Sequence, residues 1–237
     1  MISIPWLNPD NYDFPDPAHA LDEPAGLLAV GGDLSPDRIL AAYRQGIFPW
    51  FNPGDPILWW SPSPRTVIFP KQLHISKSLR KTLRKGVYKV TFDHSFRAVM
   101  TACAGPRAYA DGTWISSEII AGYCTLHARG IAHSVEVWRE DELVGGLYGI
   151  ALGKIFFGES MFSRADNASK VGFAHLVRQL ISWDFQLIDC QVANDHLFSL
   201  GATEIPREEF QQMLINFTDE PGMNSSLWSN VSITDWD

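Results

Sequence analysis

A succession of three strand-like runs, one helix and a fourth strand-like run constrains the fold of this chain most strongly. Apolar and β-branched residues dominate all four runs, and short turns rich in charge or glycine separate the first three. Such short turns favour antiparallel pairing of the first three runs. The four runs are His133 to Trp138, Leu143 to Ala151, Ile155 to Phe162 and Phe185 to Val192.

The segment between the third and fourth runs has its apolar residues on one helical face. Phe173, Leu176, Val177, Leu180 and Ile181 lie at i, i+3, i+4, i+7 and i+8, which is the spacing of an amphipathic helix. A strand, helix, strand unit tends to pair its two strands in parallel. We therefore predict that the third and fourth runs are neighbours in a mixed sheet.

The N-terminal part of the chain differs from this α/β body. Ser35 and Pro36 supply an N-cap and a first-turn proline, and Gly46 supplies a stop, which together predict a short helix. Residues 47–64 contain five Pro and three Trp and are expected to be rigid but irregular. They form either a packed loop or the aromatic wall of a pocket. We predict an α/β (α+β) protein with a small N-terminal domain over residues 1–64 and a mixed-sheet domain over residues 65–237.

Three polar side chains interrupt the apolar strands. Glu159 lies in the third run, and Asp189 and Gln191 lie in the fourth. A carboxylate among large apolar neighbours costs several kcal/mol to desolvate unless a cation or a hydrogen-bond donor meets it. These side chains either face a ligand or are satisfied inside the protein by backbone amides or an arginine.

A basic segment extends from Lys71 to Lys89, where the chain carries seven Lys or Arg residues and no acid. Removing these seven positive charges from the net charge of −8 leaves −15 for the remainder. The segment is either a solvated helix face or a phosphate-binding patch, in which case the acidic remainder attracts a cationic second substrate. In the second case the cations expected to bind RNA phosphates are Lys71, Lys77, Arg80, Lys81, Arg84 and Lys85.

Other features restrict the class of protein. No apolar run approaches the roughly 18 residues that cross a bilayer, and the polar start lacks the order of a signal peptide, so we expect a cytoplasmic protein that does not act at a membrane. Its cysteines are odd in number and lack a CxxC pair, and its histidines show no HExxH or HxH spacing. The sequence therefore predicts no disulfide framework and no metal site.

Seven short motifs, spread over about Phe14 to Pro206, are specific when taken together. They are Leu27 to Leu34 (LLAVGGDL), Gly46 to Phe51 (GIFPWF), Leu58 to Pro62 (LWWSP), His133 to Trp138 (HSVEVW), Gly158 to Arg164 (GESMFSR), Asn167 to Lys170 (NASK) and Leu187 to His196 (LIDCQVANDH). This set resembles the leucyl/phenylalanyl-tRNA–protein transferase family.

The resemblance implies an aminoacyltransferase. It would move Leu or Phe, and less readily Met, from aminoacyl-tRNA to proteins whose N-terminal residue is Lys or Arg, which marks those proteins for degradation in bacteria. The family needs no metal or organic cofactor, and its C-terminal domain resembles the GCN5-related acyltransferase fold, whose strand order matches the one predicted above. Nothing in the sequence demands more than a monomer.

The resemblance also implies roles for individual residues. Glu159 would orient the aminoacyl end, and Asp189 with Gln191 would assist the attacking amine. Replacing any of the three (Glu159→Gln, Asp189→Ala, Gln191→Ala) is expected to depress transfer in a protein that still folds. The expected substrate-binding residues are Trp50, Trp114, Leu147, Phe156, Leu176 and Asn194.

Two of these substrate-binding positions have a further implication. Trp114 is expected near the terminal adenosine of the tRNA. Leu147 stands where the family is expected to have Met, which keeps the volume of the pocket but reduces its adaptability. The Leu at position 147 therefore affects one implied property in particular, the use of methionyl-tRNA as a donor.

Two other functions fit parts of the sequence. An acyl-CoA-dependent N-acyltransferase fits the strand order, but the segment from Ser163 to Ala168 lacks the glycines whose bare amides bind a pyrophosphate. A non-catalytic adaptor for tRNA or peptides fits the basic segment, but it leaves Glu159, Asp189 and Gln191 without a purpose.

Overall fold

The structure is a computed structural model that describes residues 4–105, 113–231 and 236. These residues form a mixed α/β structure, as predicted. The strands are β1 (Trp6–Leu7), β2 (Leu27–Gly31), β3 (Phe48–Pro49), β4 (Leu58–Trp60), β5 (Arg65–Ile68), β6 (Lys89–Phe92), β7 (Ala132–Arg139), β8 (Glu142–Leu152), β9 (Ile155–Ser163), β10 (Leu187–Gln191) and β11 (Thr203–Ile205). The α-helices are α1 (Pro36–Tyr43), α2 (Lys77–Lys85), α3 (Phe96–Cys103), α4 (Ser117–Ala128), α5 (Ala168–Ser182), α6 (Asp195–Ser199), α7 (Arg207–Phe217) and α8 (Ser225–Ser229).

Local signals set the ends of the helices that carry the basic segment and the N-terminal motif. The Ser35 hydroxyl accepts a hydrogen bond from the Arg38 amide at the start of α1, and Ser76 does the same for Leu79 at the start of α2. These are N-caps, which satisfy amides that lack a partner within the helix. Helix α2 ends at Gly86, whose φ of 58° is left-handed. Both predicted helices are confirmed.

The large sheet has the strand order β11-β5-β10-β9-β8-β7-β6. Strands β7, β8 and β9 pair antiparallel in sequence, and α5 returns the chain so that β10 pairs parallel with β9. In that register Asp189 lies opposite Phe157, two residues before Glu159. The predicted mixed sheet and the predicted neighbourhood of the third and fourth runs are confirmed.

The small sheet has the order β1-β2-β4-β3 and lies within residues 6–60. Strands β3 and β4 belong to the segment 47–64, so the expectation that this segment is irregular is wrong for those residues. Trp59 at the centre of β4 is completely buried, and its indole donates a 2.9 Å hydrogen bond to the carbonyl of Gly31. The domain boundary at residue 64 stays a prediction.

Apolar side chains pack on both faces of the large sheet. Successive residues of a strand point to opposite faces, so Phe156 and Phe157 of β9 enter two different cores. The Phe156 core includes Trp228 of α8, which is completely buried and stacks on His133 with ring centroids 3.9 Å apart. Near its C-terminus the chain therefore contributes to the packing behind Phe156.

None of the helices in the described ranges is long and apolar enough to cross a membrane. The same ranges contain no cluster of three or more His, Cys, Asp or Glu residues that could hold a metal ion.

Candidate active site

Glu159 of β9 lies where two cavities meet. Its carboxylate accepts a 2.6 Å hydrogen bond from the hydroxyl of Tyr43 and a 3.0 Å hydrogen bond from the hydroxyl of Tyr123. The two phenol oxygens are themselves 2.8 Å apart. Burial among apolar neighbours raises the pKa of Glu159 to about 7, against the opposing effect of the two phenol hydrogen bonds. The group therefore changes charge close to neutral pH.

The larger of these cavities, here called the aminoacyl cavity, has a volume of about 210 Å³. Its apolar side is formed by residues of three strands and α5, and its polar side by β9, β10 and the start of α6. The apolar residues include Leu147, Phe156, Phe173 and Ile188, and the polar ones include Glu159, Gln191, Asn194 and His196. An apolar cavity with a few polar groups at one side is typical of a small-ligand site.

The second cavity, here called the aromatic cavity, has a volume of about 140 Å³. Its walls are Phe48, Pro49 and Trp50, and the Trp50 side chain is half-exposed. The two cavities share Trp114, Glu159, Cys190 and Gln191. The residues 47–64 thus supply the aromatic wall that was one of their two predicted roles.

Gln191 lines both cavities and carries a buried hydrogen-bond donor. Its Nε2 has no hydrogen-bond partner among the described residues. Leaving a buried donor unpaired costs about 1–3 kcal/mol. An acceptor atom of a ligand that reached this side-chain amide would remove that cost.

The backbone of Gln191 is held in an uncommon conformation. Its φ is 57°, and the pairing of β10 with β5 shifts register between Asp189 and Gln191. A left-handed residue other than Gly costs of order 1–3 kcal/mol and persists only where its surroundings hold it. The Asp189 carboxylate supplies one such contact, because its Oδ1 accepts a 3.0 Å hydrogen bond from the backbone N–H of Gln191.

Asp189 does not line either cavity. It is completely buried and forms a two-pronged ion pair with the equally buried Arg65, with both N–O distances 2.7 Å. Arg65 also donates to the Gly46 carbonyl at 3.0 Å, and its guanidinium lies 4.5 Å from the Phe210 ring. The expectation that Asp189 faces a ligand is therefore corrected: an arginine satisfies its charge, and the residue acts on the site through Gln191.

The other predicted substrate-binding residues fall into two groups. Trp50, Trp114, Leu147, Phe156 and Asn194 line one or both cavities. Leu176 does not: it is completely buried in the core behind Phe156 and Leu147, because α5 turns this side chain toward the sheet. Asn194 has a second role, since its Oδ1 caps α6 by accepting from the Leu197 amide.

Several site residues were not predicted from the sequence. Tyr43 and Tyr123 carry no polar signal, because each stands in the apolar pattern of its helix. Arg65 lies in a four-residue strand that the sequence analysis did not identify. Phe173, although recognised as an apolar helix position, was not expected to line the cavity.

Cys190 adjoins both cavities but does not supply a nucleophile. Burial, followed by the neighbouring charge of Asp189, raises the pKa of its thiol far above the usual range. The thiol stays neutral, and transfer through a thioester on this residue is disfavoured.

Five of the six cations predicted to bind RNA lie on the exposed face of α2, and the sixth, Lys71, precedes that helix. Leu79 and Leu83 are buried against the body, while all six cations are exposed. Within the described ranges none of these cations forms an ion pair with an acid. The geometry is compatible with both predicted roles, a solvated face and a phosphate-binding patch.

A cavity lined by an unpaired amide donor and a carboxyl group that titrates near neutral pH is compatible with direct transfer of an acyl group to an amine, the reaction of acyltransferases. The sequence model described as "Leucyl/phenylalanyl-tRNA protein transferase" matches residues 67–215, and the model of its N-terminal domain matches residues 32–63. The chain belongs to the leucyl/phenylalanyl-tRNA protein transferase family.

Curated relatives agree with this assignment. A leucyl/phenylalanyl-tRNA–protein transferase of Cellvibrio japonicus is 72% identical over 228 residues, which are 96% of this chain and 97% of that protein. The protein of the same name from Pseudomonas fluorescens is 62% identical over 225 residues, covering 95% and 99% of the two chains. The predicted aminoacyltransferase class is confirmed, and neither the acyl-CoA enzyme nor the adaptor is supported.

Solved structures resemble this chain only distantly. A GCN5-related N-acetyltransferase from Kribbella flavida has a TM-score of 0.39 at 11% identity, covering 70% of this chain and 59% of its own. L-PGS from Bacillus licheniformis has a TM-score of 0.39 at 11% identity, covering 73% and 55%. We draw no functional conclusion from either likeness.

Proposed function

We propose that this chain transfers Leu or Phe, and less readily Met, from aminoacyl-tRNA to the N-terminal Lys or Arg of an acceptor protein, as a cytoplasmic monomer. The new N-terminal residue marks the acceptor for degradation. The observation that carries the proposal is that Glu159 and Gln191, whose Nε2 is buried and unpaired among the described residues, line the same largely apolar cavity.

The chemistry requires little covalent help from the protein. The donor is an ester, and the nucleophile is an α-amine with a pKa of about 7.7–8.0 that attacks only when it is deprotonated. Holding the amine beside the ester carbonyl and stabilising the tetrahedral oxyanion are the useful contributions. No metal and no organic cofactor enters this proposal.

Gln191 is suited to both contributions. Its Nε2 would donate to the ester carbonyl oxygen, and this hydrogen bond strengthens as the oxygen gains charge. Its side-chain oxygen would accept from the attacking amine and direct it at the carbonyl carbon. A neutral amide is too weakly basic to keep the proton, so the proton leaves with the ribose hydroxyl of the departing tRNA.

Glu159 would hold the α-amino group of the donor. The charged carboxylate accepts a hydrogen bond from that group while Tyr43 and Tyr123 fix its orientation. This contact places the aminoacyl side chain in the aminoacyl cavity, where Leu147, Phe156 and Phe173 favour Leu or Phe over polar side chains.

The acceptor preference follows from charge. Outside the basic segment the chain carries an excess of acid, which attracts an N-terminal Lys or Arg. The aromatic cavity adds the faces of Trp50 and Phe48, which attract a cationic side chain through their π electrons. We propose that the acceptor approaches from this cavity and the donor from the aminoacyl cavity.

A direct transfer assay tests the function. Radiolabelled Phe-tRNA and a peptide that begins with Arg should give a labelled peptide extended by one residue. The matched control is the same peptide with an acetylated N-terminus, which has no free amine and should remain unlabelled. Equal labelling of peptides that begin with Arg and with Glu would contradict the acceptor preference, and no labelling of either would contradict the function.

The pH dependence of transfer tests the role of Glu159. Below about pH 7 its carboxyl is neutral and no longer attracts the α-amino group of the donor, so kcat/KM should depend on two ionisations there, those of Glu159 and of the acceptor amine. In Glu159→Gln only the amine should titrate, so the pH profile becomes less steep below pH 7. At pH 8 the variant should lose about 10- to 100-fold, the worth of a hydrogen bond to a charged group.

The pH dependence of the free energy of unfolding is a second test of Glu159→Gln. The pKa of Glu159 is raised on folding, so its contribution to stability is complete below the unfolded value of about 4.3 and is lost as the pH rises through about 7. Glu159→Gln should therefore flatten the fall in the free energy of unfolding between pH 4 and pH 7. An unchanged pH profile of transfer in this variant would remove Glu159 from the proposed mechanism.

Charge reversal on α2 tests the role of the basic segment. Arg80→Glu combined with Arg84→Glu should raise the KM of leucyl- and phenylalanyl-tRNA to the same extent, because phosphate contacts carry no base sequence. The salt dependence of log KM should flatten by about one for each phosphate that the protein no longer neutralises. Arg97→Glu, an exposed position on α3, serves as the control. A solvated face predicts no change in either quantity.

A further inference from the structure

A third cavity, here called the bridging cavity, lies beside the start of α2. It has a volume of about 410 Å³, and its lining includes His74, Ser76, Leu79, Lys170 and Phe198. These residues come from three separate parts of the chain, which the fold brings together next to the basic segment. None of the functions argued above uses this cavity.

The lining of the bridging cavity includes residues of the basic segment and of α6, and α6 also lines the aminoacyl cavity. Ser76 caps α2 and Leu79 lies in its first turns, next in sequence to exposed cations of that helix. Phe198 shares the five-residue helix α6 with His196 and Leu197, which line the aminoacyl cavity. A ligand that contacts both α2 and the aminoacyl cavity would extend between α2 and α6, the elements on either side of this lining.

The charge of Lys170 also relates the bridging cavity to the aminoacyl cavity. Burial, and after it the positive charge of Lys170, lowers the pKa of His196. Lys170 is therefore close to the polar side of the aminoacyl cavity while it also lines the bridging cavity. No residue in the described lining of the bridging cavity is acidic, and Lys170 forms no ion pair within the described ranges.

The lining has the composition that binds a single-stranded nucleic acid. Phe198 exposes 44% of its surface although it is a large aromatic residue, and it forms no ring contact with another described aromatic residue. Stacking of a base on an aromatic side chain contributes about 1–3 kcal/mol and does not depend on the base. A cation such as Lys170 beside such a ring can neutralise the phosphate that links the base to its neighbour.

We propose that the bridging cavity binds the unpaired nucleotides that precede the terminal adenosine of the donor tRNA, with Phe198 stacked on a base and Lys170 on a phosphate. The inference rests on the proposed function, because it assumes that the donor is an aminoacyl-tRNA. The acceptor stem would contact α2, the single-stranded end would cross the bridging cavity, and the aminoacyl group would enter the aminoacyl cavity.

Three donors of increasing length distinguish the contacts of the aminoacyl group, of the single-stranded end and of the acceptor stem. They are phenylalanyl adenosine, a phenylalanyl CCA trinucleotide and phenylalanyl-tRNA. In Phe198→Ala the KM should rise about 5- to 150-fold for the trinucleotide and for the tRNA, the fold-change that corresponds to one stacked base. In Lys170→Gln the KM should rise for the same two donors, because a phosphate loses its cation. The KM of phenylalanyl adenosine and the kcat with every donor should stay unchanged.

Two further variants complete the experiment. Phe198→Trp keeps an aromatic face and should restore the KM of the trinucleotide. Ile215→Ala removes an apolar side chain from α7 that is more exposed than Phe198, at 71% against 44%, and should leave all three donors unaffected.

Two results would overturn the inference. An unchanged KM of the trinucleotide in both Phe198→Ala and Lys170→Gln would show that nothing binds in the bridging cavity. An equal rise for all three donors would show a general effect on the aminoacyl cavity. Failure of the wild-type protein to transfer from any donor is a different result, because it would refute the proposed function itself.

Discussion

Arg65→Met is expected to lower the free energy of unfolding by about 3–5 kcal/mol, the cost of breaking a buried ion pair on one side only. The substitution leaves the Asp189 carboxylate completely buried and without its cation. It also removes the donor to the Gly46 carbonyl. Because domains are stable by only about 5–15 kcal/mol, a loss of this size should be plain in urea unfolding at pH 7.

The double variant Arg65→Met with Asp189→Leu provides the control. It removes both charges and fills their place with apolar atoms, so it should regain most of the stability that the single variant lacks. If Arg65→Met cost less than about 1 kcal/mol, the value of an exposed pair, the pair would be solvated, contrary to the structure. The same reasoning revises the expectation for Asp189→Ala, in which loss of activity will be accompanied by loss of stability.

Gln191→Ala is expected to lower kcat by about 10²- to 10³-fold, as the loss of one preorganised donor to an oxyanion does in other enzymes. The KM for aminoacyl-tRNA should change little, because the interaction strengthens only as the carbonyl oxygen gains charge. Stability should be maintained or slightly increased, since the substitution removes a buried donor that has no protein partner. Steady-state transfer and urea unfolding measure the two effects.

Two comparisons make this result specific. Gln191→Glu keeps the shape of the side chain but replaces the Nε2 donor by an acceptor, so it should be as inactive as Gln191→Ala. Gln212→Ala on the exposed side of α7 removes an amide far from the cavities and should retain wild-type transfer. Wild-type activity in Gln191→Glu would show that the donor is not required.

Much of the fold was predictable because its elements are long enough to show a period. The three antiparallel strands and α5 display alternation or helical spacing over many residues, and the β-α-β rule placed Glu159 and Asp189 on neighbouring strands. Strand β5 has only four residues, Arg65 to Ile68, and follows a proline-rich segment. A run this short shows no period, although it pairs with both β10 and β11 at one side of the sheet.

The candidate site was predictable in its residue types but not in its contacts. Glu159 meets Tyr43 from 116 residues away, and Asp189 meets Arg65 from 124 residues away. Local patterns contain no information on such pairs. For that reason the sequence left open whether each carboxylate faces a ligand or an arginine. The structure places Glu159 at two cavities and pairs Asp189 with Arg65.

The position of a bound donor tests the account most directly. The ligand is a stable analogue in which an amide joins the carboxyl group of phenylalanine to the 3′-amino group of 3′-amino-3′-deoxyadenosine, soaked into crystals of this protein. The account predicts the phenyl ring in the aminoacyl cavity, the α-amino group on Glu159 and the carbonyl oxygen within hydrogen-bond distance of the Gln191 Nε2. A carbonyl oxygen turned away from Gln191, with the phenyl ring outside the aminoacyl cavity, would contradict it.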